Sequence, residues 1–215
     1  MKPEDVAAWL KEHPEFFEQY ADTLADITIP HPHGGRAIPI SERQILTLRE
    51  RNRQIENKLR EVIQYGEEND AISEKVHRIS VALVAAPELR AALNAVYLNL
   101  REDFAVPHVA LRLWRGGNRG DTPEFRPVSD AAREFAESLA NPYCGGRAMV
   151  DTASWFGDAG AHLHSFSYLP LRDDRVFGLL ALASEDPQRF YPEMGTLYLK
   201  RLGDLIGAAL ARHSK

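Results

Sequence analysis

The residues whose types and spacing could do chemistry are few. Cys144, the only cysteine, stands in Pro142-Tyr143-Cys144-Gly145-Gly146. A thiol there could react or line a pocket, whereas a buried cysteine behaves as a small hydrophobe. Two His-x-His pairs occur, His31/His33 and His162/His164. Imidazole is a common metal ligand, and residues two apart on an extended segment point the same way. A site needs three or four ligands, and no Asp, Glu or Cys completes a metal-binding spacing, so no metal is expected. Gly34-Gly35-Arg36 could hold a phosphate, but no strand precedes it in the phosphate-loop pattern, so a turn is expected. Arg49-Glu50-Arg51-Asn52-Arg53 could enter DNA. Between Ser41 and Tyr65, however, Lys and Arg outnumber Glu by only 6 to 4, which describes a solvated helix flank. Charge interleaving such as Glu56 with Arg60 supports that reading. No acid, base and nucleophile converge, so no catalytic residues and no cofactor are expected.

The most suggestive constellation is aromatic and basic. Val109, Leu111 and Leu113 alternate with Ala110, Arg112 and Trp114, the period of a half-buried strand. If the Arg112 face looks into a pocket, its guanidinium can pair with an anionic ligand group and Trp114 can stack on it. Tyr143, Trp155 and Phe156 would form a lid, and Ser165 and Ser167 share one face of a later strand. The candidate ligand-binding set is Arg112, Trp114, Tyr143, Cys144, Trp155, Phe156, His164 and Ser167. The alternative is that these aromatics fill a second core.

Around these residues the pattern reads helix, strand pair, helix, irregular segment, strand pair, helix. Leu89, Leu93, Val96, Leu100 and Phe104 make one helical face after Pro87. Strands are expected at 109–114 and 124–128, the first followed by turn chemistry at Gly116-Gly117-Asn118-Arg119-Gly120. Ser129 should cap a helix over 130–139. Two strands, 164–171 and 176–184, flank the turn Arg172-Asp173-Asp174-Arg175, and a helix closes the chain from Pro192 to about Arg212. The expected fold class is α+β, a mostly antiparallel sheet flanked by helices. The first and last of these helices should cover one sheet face and the irregular segment the other, where a pocket tends to form.

One long helix should run from Ser41 to about Leu83. Ser41 and Gln44 have capping-box spacing, and Ile40 and Ile45 occupy the positions of a hydrophobic staple. Ile45, Leu48, Asn52, Ile55, Leu59 and Val62 form a heptad seam, so a partner helix is expected. Asn52 in the seam would set register and helix number at some cost in stability. Gly66 and Asn69 interrupt the seam, which resumes, displaced, as Ile72, Val76, Ile79 and Leu83; such a phase change alters coiled-coil winding. The first half is expected to form a homodimer and the second to pack on the following domain.

Before the rod, Pro3 to Asp22 should be two short helices, broken at His13-Pro14 and rich in apolar residues: Val6, Trp9, Leu10, Phe16 and Phe17. These need a docking surface, on the rod or on a partner. Ile27 to Arg36 reads as a loop. With 31 acidic and 26 basic residues the net charge is −5, so neither nucleic acid nor an anionic membrane is an expected partner. One cysteine excludes an intrachain disulfide. No apolar run approaches the roughly 20 residues of a membrane span, and the N-terminus lacks a signal-peptide pattern, so a cytoplasmic location is expected.

The element order resembles the GAF fold. Gly178-Leu179-Leu180-Ala181-Leu182-Ala183-Ser184, then Arg189-Phe190 and a long final helix, are similar to a GAF C-terminal half. More narrowly, several patches resemble a bacterial GAF-like family of unknown function. They are His13-Pro14-Glu15-Phe16-Phe17, Pro30-His31 with Gly34-Gly35, Ser41-Glu42-Arg43-Gln44, Glu67-Glu68-Asn69-Asp70, Tyr143-Cys144-Gly145 and Ser184-Glu185-Asp186-Pro187-Gln188-Arg189-Phe190. The resemblance implies three parts: 1–40 short helices and loop, 41–84 a long dimerising and signalling helix, 85–215 a GAF-like domain. It implies no activity. The N-K-F-D-E pattern of cyclic-nucleotide GAF domains is absent, and a lone cysteine does not match the several cysteines of GAF-type methionine sulfoxide reductases. The expected function is a dimeric, non-enzymatic sensory or regulatory module that binds a small molecule. The alternative is a scaffold acting through a protein partner.

Overall fold

The structure, a computed structural model, describes residues 2–30, 37–115 and 122–213, without the side chains of residues 24–26, 28–30 and 37–42. The chain divides into two compact units, Met1–Glu67 and Glu68–Lys215.

The first unit opens with α1 (Pro3–Glu12), α2 (Glu15–Gln19) and α3 (Ala21–Asp26). Glu4 and Asp5 lie in the first turn of α1, where the helix dipole favours acids, and the Lys2 amide donates to Asp5 Oδ2 at 3.1 Å. The helix stops at His13, because a residue before proline is driven out of helical geometry. Helix is regained as two pieces, α2 and α3, where one was expected. Trp9 stacks on His13 with ring centroids 4.6 Å apart, and Phe16 stacks on Tyr20 at 4.9 Å. Trp9, Phe17 and Tyr20 nevertheless stay exposed. The expected loop after Asp26 contains a short antiparallel ribbon of β1 (Thr28–Pro30) and β2 (Ala37–Pro39), with Ile29 opposite Ile38. His31, His33 and Gly34-Gly35-Arg36 lie outside the described residues, as does the turn at 116–120.

Helix α4 (Ile40–Ala85) begins in this unit. Ser41 falls in its first turn, and its side chain, with the expected cap, lies outside the described residues. Every side chain from Arg43 to Ala71 is exposed. The seam residues Ile45, Leu48, Ile55, Leu59 and Val62 are 50–64% exposed.

The second unit takes the rest of α4 and adds α5 (Leu89–Glu102), β3 (His108–Leu113), α6 (Asp130–Ser138), β4 (Tyr143–Gly145), β5 (Ser165–Arg172), β6 (Val176–Ser184) and α7 (Leu197–Ala211). The sheet order is β3-β6-β5-β4, with every pair antiparallel, so the fold is α+β. Alternation divides the sheet's side chains. Val109, Leu111, Leu113, Leu180, Leu182, Leu169 and Leu171 face a core with Leu93, Val96 and Leu100 of α5 and Leu202, Ile206 and Leu210 of α7. Ile79 and Leu83 of α4 are buried in that core, with Val76 packed against it. Ala110, Leu179, Ala181, Ala183, Phe166 and Tyr168 face the other way. None of the described helices is long and apolar enough to cross a membrane.

Residues 124–128 are not the expected strand. Pro123–Phe125 is a turn of 3₁₀ helix beside β3, and Pro127 follows. Prolines on both sides remove the amides a ladder needs. Residues 141–160, expected to be irregular, supply the edge strand β4 and most of a 3₁₀ stretch, Thr152–His162.

Two glycines make opposite predictions. At Gly178 an added Cβ would lie 2.7 Å from Leu113 Cδ2 and 2.8 Å from the Arg112 carbonyl oxygen, whereas at Gly66 it would meet nothing within 4 Å. Gly178→Ala should cost about 1–3 kcal/mol through overpacking. Gly66→Ala should add about 0.5–1 kcal/mol of helix stability. Urea unfolding followed by circular dichroism measures both.

Candidate functional site

The sheet face opposite α5 and α7 is built row by row. Ala110, Ala181, Tyr168 and Tyr143 stand side by side across all four strands, and Arg112 pairs with Leu179 in the row beside them. Phe135 of α6, Met149, Trp155 and Phe156 cover the face. Small side chains in the middle of the sheet leave room for these large rings.

The cover is pinned at its start. Tyr168 Oη accepts from the Met149 amide at 3.0 Å and lies 2.6 Å from Thr152 Oγ1, which donates to the Met149 carbonyl. The Tyr168 hydroxyl therefore donates to Thr152. Ser129 accepts from the Ala132 amide as the cap of α6, as expected, and donates to Asp151 Oδ1 at 2.9 Å. Between these anchors Val150 adopts φ 48°, a left-handed conformation that costs a β-branched residue energy and that the anchors hold in place.

Arg112 is only 7% exposed. Its Nη1 donates to the Leu111 carbonyl at 2.9 Å, and its guanidinium carbon lies 5.0 Å from the centre of the Trp155 ring. No carboxylate among the described residues forms an ion pair with it. The nearby Glu124 instead accepts from Tyr97 Oη at 2.9 Å. Burial pushes the Arg112 guanidinium below its ordinary range, Tyr97 and Glu124 oppose this, and Arg126 reinforces it. Burial, then Glu124, push the Tyr97 phenol up.

The other candidates do not all join Arg112. Trp114 is half-buried on the same face, its Nε1 donating to the Val176 carbonyl at 3.1 Å. It also borders an open cleft of about 400 Å³ lined by Arg115, Asp174, Arg175, Val176 and Phe177. Tyr143, Trp155 and Phe156 pack on this face. Cys144 and Ser167 occupy the opposite face, in a row with Val109 and Leu182. Cys144 belongs to the core under α5 and α7, its Sγ 3.5 Å from Ser167 Oγ. Burial pushes its thiol up, while Ser167 acts the other way. His162 and His164 are exposed, and no group of three or more His, Cys, Asp or Glu among the described residues could hold a metal. Tyr97, Phe135, Thr152 and Tyr168 join the site without having been singled out in the sequence. The alternation Ser165-Phe166-Ser167-Tyr168 carries the signal for Tyr168, because the aromatic face of this strand, and not the serine face, meets the cover.

The family described as "Protein of unknown function, DUF484" matches residues 1–215. The chain belongs to this family. It is 23% identical over 221 residues to uncharacterized protein YigA of Salmonella typhimurium strain LT2, covering 98% of this chain and 91% of that protein. Among solved structures it is similar to the GAF domain of a phosphoenolpyruvate-protein phosphotransferase (ptsP) from Coxiella burnetii, with a TM-score of 0.51 and 16% identity over 66% of this chain and 93% of that one. The GAF domain of the Acinetobacter phosphoenolpyruvate-protein phosphotransferase gives 0.50 and 16% over 65% and 92%. At these identities the likeness is one of fold: this DUF484 member carries a GAF-like domain.

The buried hydroxyls and thiol set an alkaline limit. Tyr97, Tyr168 and Cys144 all ionise less readily when folded, so the unfolded chain loses their protons first. Their contribution is complete below the ordinary values of 9.0 for the thiol and 10.0 for the phenols, and is lost as pH rises past them. Unfolding free energy should be level near pH 8 and fall above about pH 9–10, with a shallower fall in Tyr168→Phe. At pH 7 that substitution should cost about 1–3 kcal/mol, because it leaves the Met149 amide without its partner. Cys144 should label with a thiol reagent only at the rate of unfolding; labelling at a free-thiol rate in the native state would contradict its burial.

Proposed function

We propose that this protein is a homodimeric, non-enzymatic sensory or regulatory module of the cytoplasm. In this reading residues 85–215 bind an anionic small molecule and the long helix, 41–84, carries the response. The observation that carries the ligand reading is Arg112, a buried guanidinium stacked on Trp155 and with no described carboxylate partner. A buried cation held by one carbonyl and one ring has donors left for an oxyanion, and Arg suits carboxylate or phosphate through its planar fork. Trp155 and Phe156 would close over the ligand, with Trp114 and Tyr143 at its borders. Cys144 and Ser167, on the other face, and the exposed His164 fall outside the proposed site.

The homodimer reading is supported by α4. Ile45, Leu48, Ile55, Leu59 and Val62 keep their apolar faces in water, and an isolated polar-flanked helix gains most of its stability by packing such a face. A scaffold reading has its own support. Phe166 and Tyr168 stack in parallel 6.3 Å apart beneath Phe135, filling much of the face, and Trp9, Phe17 and Tyr20 remain available to a protein partner.

Native mass spectrometry of freshly purified protein, followed by denaturation of the same sample, tests the proposal. The expected result is a dimer carrying a small acid that is lost on denaturation. Arg112→Gln should abolish the adduct or weaken its binding about tenfold or more without changing the dimer. A dimer free of any adduct favours the scaffold, and a monomer contradicts the homodimer reading.

A further inference from the structure

We infer that the partner of α4 is a second copy of the same helix, parallel and in register over Ile45–Val62. The inference rests on the homodimer reading above and adds orientation and register to it. With Ile45, Asn52 and Leu59 at a positions and Leu48, Ile55 and Val62 at d, the flanking g positions are Gln44, Arg51, Lys58 and Tyr65. The e positions are Arg49, Glu56 and Ile63.

In a parallel, in-register pair each g residue meets the e residue five positions later on the partner. Arg51 then meets Glu56 of the second copy, and symmetry supplies the contact twice. Gln44 meets Arg49, Lys58 lays its stem against Ile63, and no like charges are opposed. Asn52 faces Asn52, so the two carboxamides satisfy each other. The antiparallel arrangement with the longest overlap sets Ile45 against Val62, Leu48 against Leu59 and Asn52 against Ile55. It brings Arg49 toward Glu56, but it also brings Arg51 toward Lys58. It buries each Asn52 amide against an isoleucine, leaving a polar group without a partner. Both the charges and the one polar seam residue favour the parallel pair.

The structure leaves these groups available. Arg51, Asn52 and Glu56 are exposed, and among the described residues neither Arg51 nor Glu56 has an ion-pair partner. Arg60, the helical neighbour that could have taken Glu56, donates instead to Asn57 Oδ1 at 2.8 Å. Ile63 and Tyr65, 52% and 61% exposed, widen the apolar face just before Gly66. Parallel pairing sets Gly66 of one copy opposite Gly66 of the other, so both copies of residues 68–215 leave from the same end of the pair. A ligand-driven change in one domain would then act on its twin through a shared break in the helices.

Two experiments on the full chain decide orientation, and sedimentation first decides association. A wild-type monomer at micromolar concentration would overturn the homodimer reading and this inference with it. Given a dimer, Leu48→Cys and Leu59→Cys are made separately, then oxidised mildly, alone and mixed. A parallel pair cross-links each variant to itself. An antiparallel pair cross-links only the mixture, because like positions lie about 16 Å apart along the axis, too far for a disulfide. Cross-linking confined to the mixture would overturn the parallel assignment while leaving the dimer intact. Surface charge gives a second test that spares the seam. Arg51→Glu opposes Glu56 in the parallel pair and should weaken dimerisation about fivefold at low salt, with recovery in the double variant Arg51→Glu/Glu56→Arg. In the antiparallel pair Arg51→Glu relieves the clash with Lys58 and tightens the dimer instead, a result that would overturn the inference.

Discussion

The rest of the structure depends on where the apolar stripe of α4 changes phase. Up to Val62 the stripe follows alternating three- and four-residue steps, and every side chain on that stretch is exposed. Past Gly66 and Asn69 the stripe resumes with Ile72 and Ile79 one residue ahead of the earlier seam. Val76 and Leu83 keep the earlier d register, and the shift brings Ile79 beside Leu83 into the core between the sheet, α5 and α7. One helix thus carries two apolar faces with different destinations. The burial of its second half holds that half to the GAF-like domain, while the apolar stripe of its first half stays exposed. Gly66, where an added Cβ would meet nothing within 4 Å, lies between the two within the continuous helix.

Within Glu68–Lys215, strand β6 organises both layers. Val176 to Ser184 is buried almost throughout, with leucines on the α-helical side and Leu179, Ala181 and Ala183 on the other. The large residues match the wide helices α5 and α7, and the alanines make room for aromatic side chains brought by β5, α6 and the 3₁₀ stretch. Polar groups at the strand ends are spoken for. Ser165 donates to the Asp186 carbonyl, the Asp186 amide donates to Ser184, and Arg189 donates to the Phe104 carbonyl. The Ser184-Glu185-Asp186-Pro187-Gln188-Arg189-Phe190 patch that resembles the family is therefore a structural clasp, which explains why such residues report fold more readily than activity.

Arg112 is the exception to this economy. Its neighbours supply one carbonyl and one aromatic face, a modest return for a buried guanidinium. Tyr97 and Glu124 satisfy each other beside it.

By itself the sequence determined the long helix, the two hairpin-forming strands at 165–184, the Ser129 cap, the two-layered arrangement and the family, because each rests on local periodicity, capping chemistry or motif. Tertiary structure decided what local pattern leaves open. A strand as short as Tyr143–Gly145 has no readable period, so only its register against β5 sends Cys144 and Ser167 to the helical core and Tyr143 to the aromatic face. Pro123 and Pro127 turn the expected second strand into a 3₁₀ turn, which brings Glu124 to Tyr97 across long sequence separation. Which face of a sheet becomes a site depends on what other segments cover it, and that is a property of packing rather than of any one stretch of chain.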